Sequence, residues 1–248
     1  MDMEIREQDS RTARMLGEGA LVRLSQARVA VFGIGGVGGH LCEALARAGV
    51  GALDLIDSDT VAPSNINRQI VALHSTVGMD KVEAMAARIR DINPACVVRT
   101  HACFYLPEEG DRFDFSCYDY VADAIDTVRA KIDLVLRAKA AGVPIICAMG
   151  AGNKLDPTRF EVADLAKTTV CPLAKVMRVE LRKRGIEHVK VVYSREEPVT
   201  PPADAPQGEP IADGSARRST PGSVSFGPAV MGLIMAGEII KDISRAEG

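Results

Sequence analysis

A glycine-rich turn, G-I-G-G-V-G at 33–38, separates a short apolar run from a helical pattern. The run before it, R-V-A-V-F at 28–32, is β-branched and predicts a buried strand. After Gly38, apolar side chains recur at helical spacing. Glycine lets a ligand approach the backbone, and the first turn of a helix offers free N–H groups to phosphate. The segment therefore predicts a strand, a phosphate-binding turn and a helix.

The alternation of strands and helices continues as far as Gly152. Apolar β-branched runs predict the strands, and apolar residues at helical spacing predict the helices between them. The predicted strands lie at 52–57, 96–102, 118–122 and 143–148, and the predicted helices at 77–92 and 127–141. Strands joined by crossover helices pair in parallel, so this part of the chain predicts a parallel sheet covered by helices.

After Gly152 the pattern changes to a polar strand, a basic helix and an apolar strand, at 159–165, 172–184 and 188–194. We predict one Rossmann-like, three-layer α/β domain over 1–248, with a parallel sheet that a partly antiparallel second half extends. The nucleotide-binding half spans 28–152 and the second half 153–248. Six prolines and few apolar residues predict a mobile loop at 195–221.

Composition excludes several classes of protein. With 47% hydrophobic and 25% charged residues, the chain has the balance of a globular protein with a sizeable core. Its net charge of -3 gives no general attraction to nucleic acid, so we expect no DNA partner and only local RNA contacts. The charged N-terminal stretch lacks the apolar core of a secretory signal, which predicts a cytoplasmic protein. None of the six cysteines stands in C-x-x-C spacing, so we expect no structural zinc.

The segment 226–240 is apolar and near helical spacing, and it is short for a membrane span. We expect a helix buried against the sheet. A peripheral contact of this helix with a membrane is the alternative. Its apolar positions are Val230, Leu233, Ile234, Gly237 and Ile240.

Asp57 ends the second predicted strand, 19 residues after Gly38. A carboxylate at this position can accept hydrogen bonds from both hydroxyls of a ribose. Together with the glycine-rich turn it predicts binding of an adenosine nucleotide. The two features fit NAD and ATP equally well.

Two cations and one carboxylate distinguish these nucleotides. Arg68 lies in S-N-I-N-R-Q at 64–69 and Lys81 opens a predicted helix. A triphosphate needs several cations, whereas each of these residues alone fits a capping or solvated role. Asp126 ends D-A-I-D at the carboxyl edge of the sheet, where a single carboxylate can hold Mg²⁺ together with substrate phosphates. Asp126 can also cap the helix that follows.

In order and spacing, G-x-G-G-x-G, D-S-D, S-N-I-N-R-Q, Lys81 and D-A-I-D resemble the adenylation core of the ubiquitin-activating-enzyme-like family, of the ThiF/MoeB type. The resemblance covers roughly 11–152. It implies ATP and Mg²⁺ as cofactors, a homodimer, and an acyl-adenylate as the intermediate. It assigns Gly33, Gly35, Gly36, Gly38 and Asp59 to the nucleotide, Asp57 to the ribose, Asn65, Arg68 and Lys81 to the phosphates, Asp126 to the metal, and Arg14 to the neighbouring subunit's ATP, with Arg14, Arg68, Lys81 and Asp126 as the catalytic set.

Motifs in the second half resemble one branch of this family, which dehydrates threonylcarbamoyladenosine in tRNA. They are G-A-G-N-K-L-D-P at 150–157, A-K-T-T-V-C-P-L-A-K-V-M-R at 166–178 and G-S-V-S-F-G-P-A-V-M-G-L-I-M-A-G-E at 222–238. Relatives that activate sulfur-carrier proteins usually carry two C-x-x-C pairs, and this chain has neither. One departure is Cys171, where the branch implies an acidic residue. Cys171 is either a nucleophile or, as a lone cysteine before proline, a packing residue.

The resemblance to this branch implies that ATP activates the threonyl carboxylate and that the carbamoyl group then displaces AMP, with net loss of water. It also raises a sulfur-relay protein as a further partner. The alternative within the family is adenylation of the C-terminal glycine of a small sulfur carrier. A nicotinamide-dependent oxidoreductase would leave Arg68, Lys81 and Asp126 without a role, and a non-catalytic nucleotide-binding regulator is a third alternative.

For tRNA, the local feature is the segment 178–190, which carries an excess of three positive charges. We predict phosphate contacts from four side chains there, although a solvated helix face explains such a charge run equally well. The four are Arg178, Arg182, Lys183 and Arg184, and Arg217 and Arg218 in the predicted loop could add to them.

Overall fold

The computed structural model describes residues 6–205 and 221–245. Its strands are β1 (Arg28–Phe32), β2 (Ala52–Ile56), β3 (Val97–His101), β4 (Tyr120–Asp123), β5 (Ile145–Ala148), β6 (Phe160–Asp164) and β7 (Lys190–Ser194). Within the described residues these form one sheet in the order β3-β2-β1-β4-β5-β7-β6. All neighbouring pairs are parallel except β6 and β7, which are antiparallel. The predicted parallel sheet with a partly antiparallel extension is confirmed.

The helices cover both faces of this sheet. They are α1 (Ser10–Leu16), α2 (Glu18–Gln26), α3 (Gly38–Arg47), α4 (Lys81–Ile92), α5 (Val128–Ala140), α6 (Pro172–Arg182) and α7 (Phe226–Ser244). Alternate residues of β1 face opposite sides, so that Val31 joins a core cluster with α2, α3, α4 and α7 while Phe32 joins one with α5 and α6. This gives the predicted three layers.

The strand order reverses beside β1. From β1 the chain runs outward to β2 and β3, and β4 returns to the other side of β1. Open α/β sheets bind ligands at such a point, outside the carboxyl ends of the strands. Gly33 directly follows β1 there with a φ of 91°, a left-handed conformation that glycine adopts without strain. A side chain at Gly38 would begin 1.8 Å from the Gly33 carbonyl oxygen, so α3 can start directly against the turn only with glycine at this position.

The apolar C-terminal segment forms α7, which packs against α3 and α2 and contacts β5. Met231, Met235 and Ile239 are fully buried in the core. The expectation of a helix buried against the sheet is confirmed. Among the described residues, no helix is both long enough and apolar enough to cross a membrane.

The predicted loop at 195–221 is described in part. Residues 195–205 contain neither helix nor strand. Arg217 and Arg218 lie outside the described residues, so their predicted contacts stay predictions. The division of 1–248 into two halves of one domain also stays a prediction.

Candidate functional site

A cavity of about 310 Å³ opens at the carboxyl edge of the sheet, where the strand order reverses. Turns that follow β1, β2, β3 and β4 form its walls, and the start of α4 contributes Lys81. Eight residues predicted from the sequence line it: Gly33, Gly35, Asp57, Asp59, Asn65, Arg68, Lys81 and Asp126. The fold thus brings together residues that are far apart in the chain.

The Asp57 carboxylate ties the ends of β1 and β2 together. Its Oδ2 accepts a hydrogen bond from the Ile34 N–H at 2.7 Å, and its Oδ1 accepts one from the Asp59 N–H at 2.8 Å. Each carboxylate oxygen retains a lone pair that can accept a further bond. Asp57 is therefore oriented by the backbone and can still accept hydrogen bonds from two hydroxyls of a ligand.

Lys81 supplies a fixed cation to the cavity. Its side chain is 6% exposed, and its Nζ lies 2.7 Å from Oδ2 of Asp59, whose side chain is 63% exposed. The Lys81 N–H also donates to the Asp59 carbonyl at 3.0 Å. Because charge-assisted bonds of this kind are strong and directional, the ammonium group is held in place before any ligand arrives.

Arg68 lies in the loop between β2 and α4. Its Nη1 donates to the Ser64 carbonyl at 3.0 Å and to Oδ1 of Asn67 at 2.9 Å. Asn65 shapes the same loop, because its Oδ1 accepts from the Ala62 N–H at 3.1 Å. The loop therefore presents a guanidinium group that two neutral oxygens orient.

The D-A-I-D segment is held by a buried ion pair that the sequence analysis missed. Asp123 Oδ2 lies 2.8 Å from Lys131 Nζ, and both side chains are fully buried. Lys131 also donates to the carbonyls of Ile125 at 3.1 Å and Ala148 at 2.8 Å. These bonds join α5 to the ends of β4 and β5. They fix the position of Asp126, which is exposed and makes no ion pair with any described residue.

Another part of the cavity wall is formed by C-F-Y at 103–105, which follows β3 and is not among the residues predicted from the sequence. Phe104 is 54% exposed although it is aromatic, and a ring in this position can stack on a planar base. Tyr105 is anchored by a hydrogen bond from its hydroxyl to Asp133 at 2.6 Å. Burial raises the pKa of the Cys103 thiol, so this wall is uncharged at neutral pH.

Gln69 is a further lining residue outside the predicted set. Its residue surface is 7% exposed, and its Oε1 has no hydrogen-bond partner among residues 6–205 and 221–245. A buried acceptor without a donor is costly, and it is available to a ligand or a water molecule.

Three predicted residues do not line the cavity. Gly36 faces α7, since a side chain there would begin 3.0 Å from Pro228 Cβ. Gly38 packs against Gly33, as described above. Arg14 is exposed on α1, beside Gly17 and away from this cavity.

The basic helix α6 does not present all of its predicted tRNA contacts. Arg178 turns toward the preceding loop, where its Nη1 donates to the Thr168 carbonyl at 2.9 Å and the Thr168 hydroxyl at 2.7 Å. Arg182, Lys183 and Arg184 are exposed. Lys183 and Arg184 pair with Glu180 on the same surface at 2.6 and 2.9 Å, which reduces the positive charge of this face.

Cys171 is 5% exposed and belongs to the core cluster around α5 and α6. Its side chain lies near the end of β5, 3.8 Å from where a side chain at Gly150 would begin. This position fits the packing interpretation of Cys171.

The charged groups that line the cavity are three carboxylates and two cations: Asp57, Asp59, Asp126, Arg68 and Lys81. A strongly anionic ligand bound there needs additional positive charge. Within the described residues, no group of three or more histidine, cysteine, aspartate or glutamate side chains is arranged to hold a metal ion.

Comparison with known proteins shows which sequences and folds this chain resembles. The chain is 45% identical over 241 residues to the Bacillus subtilis tRNA threonylcarbamoyladenosine dehydratase, and the match covers 96% of this chain and 95% of the relative. It is 44% identical to the Escherichia coli dehydratase over 78% of this chain and 75% of that one.

Among solved structures, the fold matches the E. coli dehydratase in complex with AMP with a TM-score of 0.85 and 38% identity, over 96% of this chain and 94% of that one. The same enzyme in complex with ATP matches with a TM-score of 0.84 and 37% identity, over the same shares. The ThiF family model matches residues 9–247. This protein belongs to the ThiF family.

Proposed function

We propose that this protein is an ATP-dependent dehydratase that adenylates the carboxylate of threonylcarbamoyladenosine in tRNA and then closes the ring. The observation that carries the proposal is the cavity itself. It joins the glycine-rich turn, Asp57, Arg68, Lys81 and Asp126 at the switch point of the sheet. The similarity to dehydratases over nearly the whole chain supports the choice of substrate.

The lining residues favour one orientation of ATP. Asp57 accepts hydrogen bonds from the ribose, and Phe104 lies on the side of the base. The turn at Gly33 and Gly35 approaches the phosphates, which backbone N–H groups at the start of α3 stabilise. In this orientation of ATP, Arg68 lies next to the phosphates. Lys81 lies beside Asp59, with which it forms an ion pair.

The reaction has two displacements. A carboxylate oxygen of the threonyl group attacks the α-phosphorus, and the bond to pyrophosphate breaks. The carbamoyl group then attacks the acyl carbon, the acyl–oxygen bond breaks, and AMP leaves with the carboxylate oxygen. The nucleophile gives up one proton, so the nucleoside has lost one water. Arg68 and Lys81 stabilise the negative charge on the departing pyrophosphate, and alignment of the reacting groups contributes the rest.

Magnesium fits this arrangement. Asp126 is an exposed carboxylate without an ion pair among the described residues, and Mg²⁺ is usually held by one or two carboxylates together with substrate phosphates. A bound Mg²⁺ would neutralise phosphate charge during the displacement. The negative excess of the cavity walls agrees with a requirement for such a cation.

A homodimer would supply a further cation. Arg14 is exposed on α1, a helix without any buried residue, and the neighbouring Met15 is 83% exposed. In this proposal Arg14 of one subunit reaches the phosphates in the cavity of its partner.

The nucleoside product tests the proposed substrate. The enzyme is incubated with ATP, Mg²⁺ and tRNA that carries the open modification, and the digested nucleosides are analysed by mass spectrometry. We expect AMP, pyrophosphate and a nucleoside lighter by one water, and none of these with unmodified tRNA. If that nucleoside keeps its mass while a carrier protein ending in Gly-Gly supports exchange of pyrophosphate into ATP, the carrier-protein alternative replaces this proposal.

Contacts with tRNA phosphates would come from the exposed side chains of Arg182, Lys183 and Arg184. Each duplex phosphate neutralised would add a slope of about -0.9 to the dependence of log affinity on log salt. Arg178 contributes less than the sequence predicts, since its guanidinium group is bound to the Thr168 loop.

A further inference from the structure

The motifs at 150–157 and 222–238 have no role in the chemistry above, and they contact each other in the structure. Asn153, in the motif at 150–157, and Gly222, in the motif at 222–238, form two hydrogen bonds with each other. The Asn153 N–H donates to the Gly222 carbonyl at 2.7 Å, and the Gly222 N–H donates to Asn153 Oδ1 at 2.7 Å. A side chain at Gly152 would begin 2.6 Å from Pro221 Cβ, so the chains approach closely. We refer to residues 221–224 as the strap.

The strap is joined to the loop that carries Arg68. Nδ2 of Asn67 donates to the Ser223 carbonyl at 3.0 Å, across 156 residues of sequence. The other end of the same carboxamide, Oδ1, accepts the bond from Arg68 Nη1 at 2.9 Å. Asn67 therefore bridges the strap and the guanidinium group.

The start of α7, which follows the strap, supports the same region. Pro228 Cβ and the Arg68 carbonyl oxygen lie 3.0 and 3.4 Å from where a side chain at Gly36 would begin. The glycine-rich turn, the Arg68 loop and the start of α7 are thus in direct contact. Movement of the strap would alter the surroundings of Arg68.

An arginine side chain has many rotamers, and fixing it on ligand binding costs free energy. A guanidinium group held beforehand by neutral acceptors avoids part of this cost and keeps its full charge for phosphate. Arg68 has two such acceptors, the Ser64 carbonyl and Asn67 Oδ1. The Asn67 acceptor is itself held by the strap.

We propose that Asn67 is a positioning residue, which holds the Arg68 guanidinium group in place for the phosphates of ATP. The strap anchors Asn67 and is itself bonded to Asn153. The proposal rests on the proposed binding of ATP and does not depend on the carboxylate substrate. It gives a role to the G-A-G-N-K and G-S-V-S-F-G motifs as the anchor of the phosphate-binding loop.

Affinities for ATP and AMP, measured by calorimetry without tRNA, test this role. We expect Asn67→Ala to weaken ATP about tenfold and AMP less than about twofold, since AMP lacks the phosphates assigned to Arg68. Leu73→Ala is the control in the loop between β2 and α4, because that side chain is 52% exposed and does not line the cavity, and it should leave both affinities unchanged. An equal loss for both nucleotides would mean a structural role and would overturn the proposal.

Two further variants test how Asn67 acts. In an Arg68→Ala background, Asn67→Ala should have no further effect on ATP affinity, and an additive loss would contradict action through Arg68. Asn67→Asp keeps an acceptor for Arg68 but has no donor for the Ser223 carbonyl. We expect it to weaken ATP as well, and wild-type affinity in this variant would exclude the strap from the mechanism. If the wild-type protein binds ATP but leaves modified tRNA unchanged, the proposed tRNA substrate is wrong. The ATP affinities of the Asn67 variants still test the role of Asn67 in that case.

Discussion

Asp123 and Lys131 form an ion pair of 2.8 Å in which both side chains are fully buried, directly beneath the cavity. Lys131 also donates hydrogen bonds to the carbonyls of Ile125 and Ala148. A buried pair of this kind contributes little net stability compared with apolar residues, but removal of one partner leaves an uncompensated charge. Its place between β4, β5 and α5 makes it the support of the Asp126 turn.

Lys131→Met should therefore destabilise the protein strongly. We expect the free energy of unfolding to fall by about 3–5 kcal/mol, because Asp123 would remain buried without its cation. Urea denaturation measures the change, with Lys139→Met, an exposed position on the same helix, as the control. The double variant Asp123→Asn with Lys131→Met should recover part of the loss. A Lys131→Met protein as stable as the control would contradict this account.

Periodicity allowed most of the architecture to be predicted from the sequence. The strands have β-branched apolar patterns and the long helices have helical ones, whereas the order of the strands in the sheet came only from the structure. Lys131 could not be assigned in the same way, because its pattern is that of an ordinary helix residue and its partner belongs to another element. Residues 103–105 follow β3 without any phosphate motif, and only the folded sheet brings them to the cavity that Gly35 also lines.

The contacts of individual cations in the basic segment 178–190 could not be predicted from the sequence. Arg178 belongs to a charge run and was predicted to contact tRNA, yet its guanidinium group binds Thr168. Charge patterning does not reveal which cations find carbonyl acceptors within their own chain. Arg68 and Lys81 were easier to predict, because the resemblance to the adenylation core assigns both of them to the phosphates.

Lys81→Ala should slow formation of the adenylate. The side chain is buried, and we expect the loss of its charge to raise the barrier by about 2–4 kcal/mol, as for removal of one transition-state donor. Exchange of pyrophosphate into ATP measures this step, with Lys139→Ala as the exposed control. A higher KM for ATP with unchanged kcat would instead assign Lys81 to ground-state binding.

Asp126→Asn should abolish magnesium-dependent turnover and leave the fold intact. Asp126 is exposed and has no ion pair among the described residues, so the neutral side chain removes a metal ligand without uncovering a buried charge. Pyrophosphate exchange as a function of Mg²⁺ concentration and thermal unfolding measure the two effects. Asp91→Asn, on the exposed face of α4, is the control. Wild-type turnover of Asp126→Asn in Mg²⁺ would show that the assignment is wrong.

The attachment of α7 should weaken in acid. Burial alone would raise the pKa of Asp242 and of Glu238, but hydrogen bonds from Lys190 and other donors outweigh it and lower both. Lys190 Nζ lies 2.6 Å from Asp242 and 3.3 Å from Glu238. Since the folded pKa values lie below the unfolded ones, this stabilisation is present above about pH 4 and is lost as pH falls further.

Urea denaturation between about pH 6 and pH 3 tests that prediction. Wild-type protein should lose more stability over this range than Lys190→Met, in which the two carboxylates lack their shared cation. Equal losses in the two proteins would show that the Lys190 contacts do not contribute to the acid sensitivity.

Arg14 should act across the subunit interface, because it is exposed on α1 and does not line the cavity of its own chain. Arg14→Ala and Asp126→Asn should each be nearly inactive alone. If the two variants are unfolded and refolded together, random pairing yields half mixed dimers, and each of these has one intact cavity and one doubly defective cavity. Activity should then recover to about a quarter of the wild-type value when the two cavities act independently.

Mass measurement of differently tagged subunits confirms that mixed dimers form. If they form and activity stays at the level of the single variants, Arg14 acts within its own subunit or outside the chemistry.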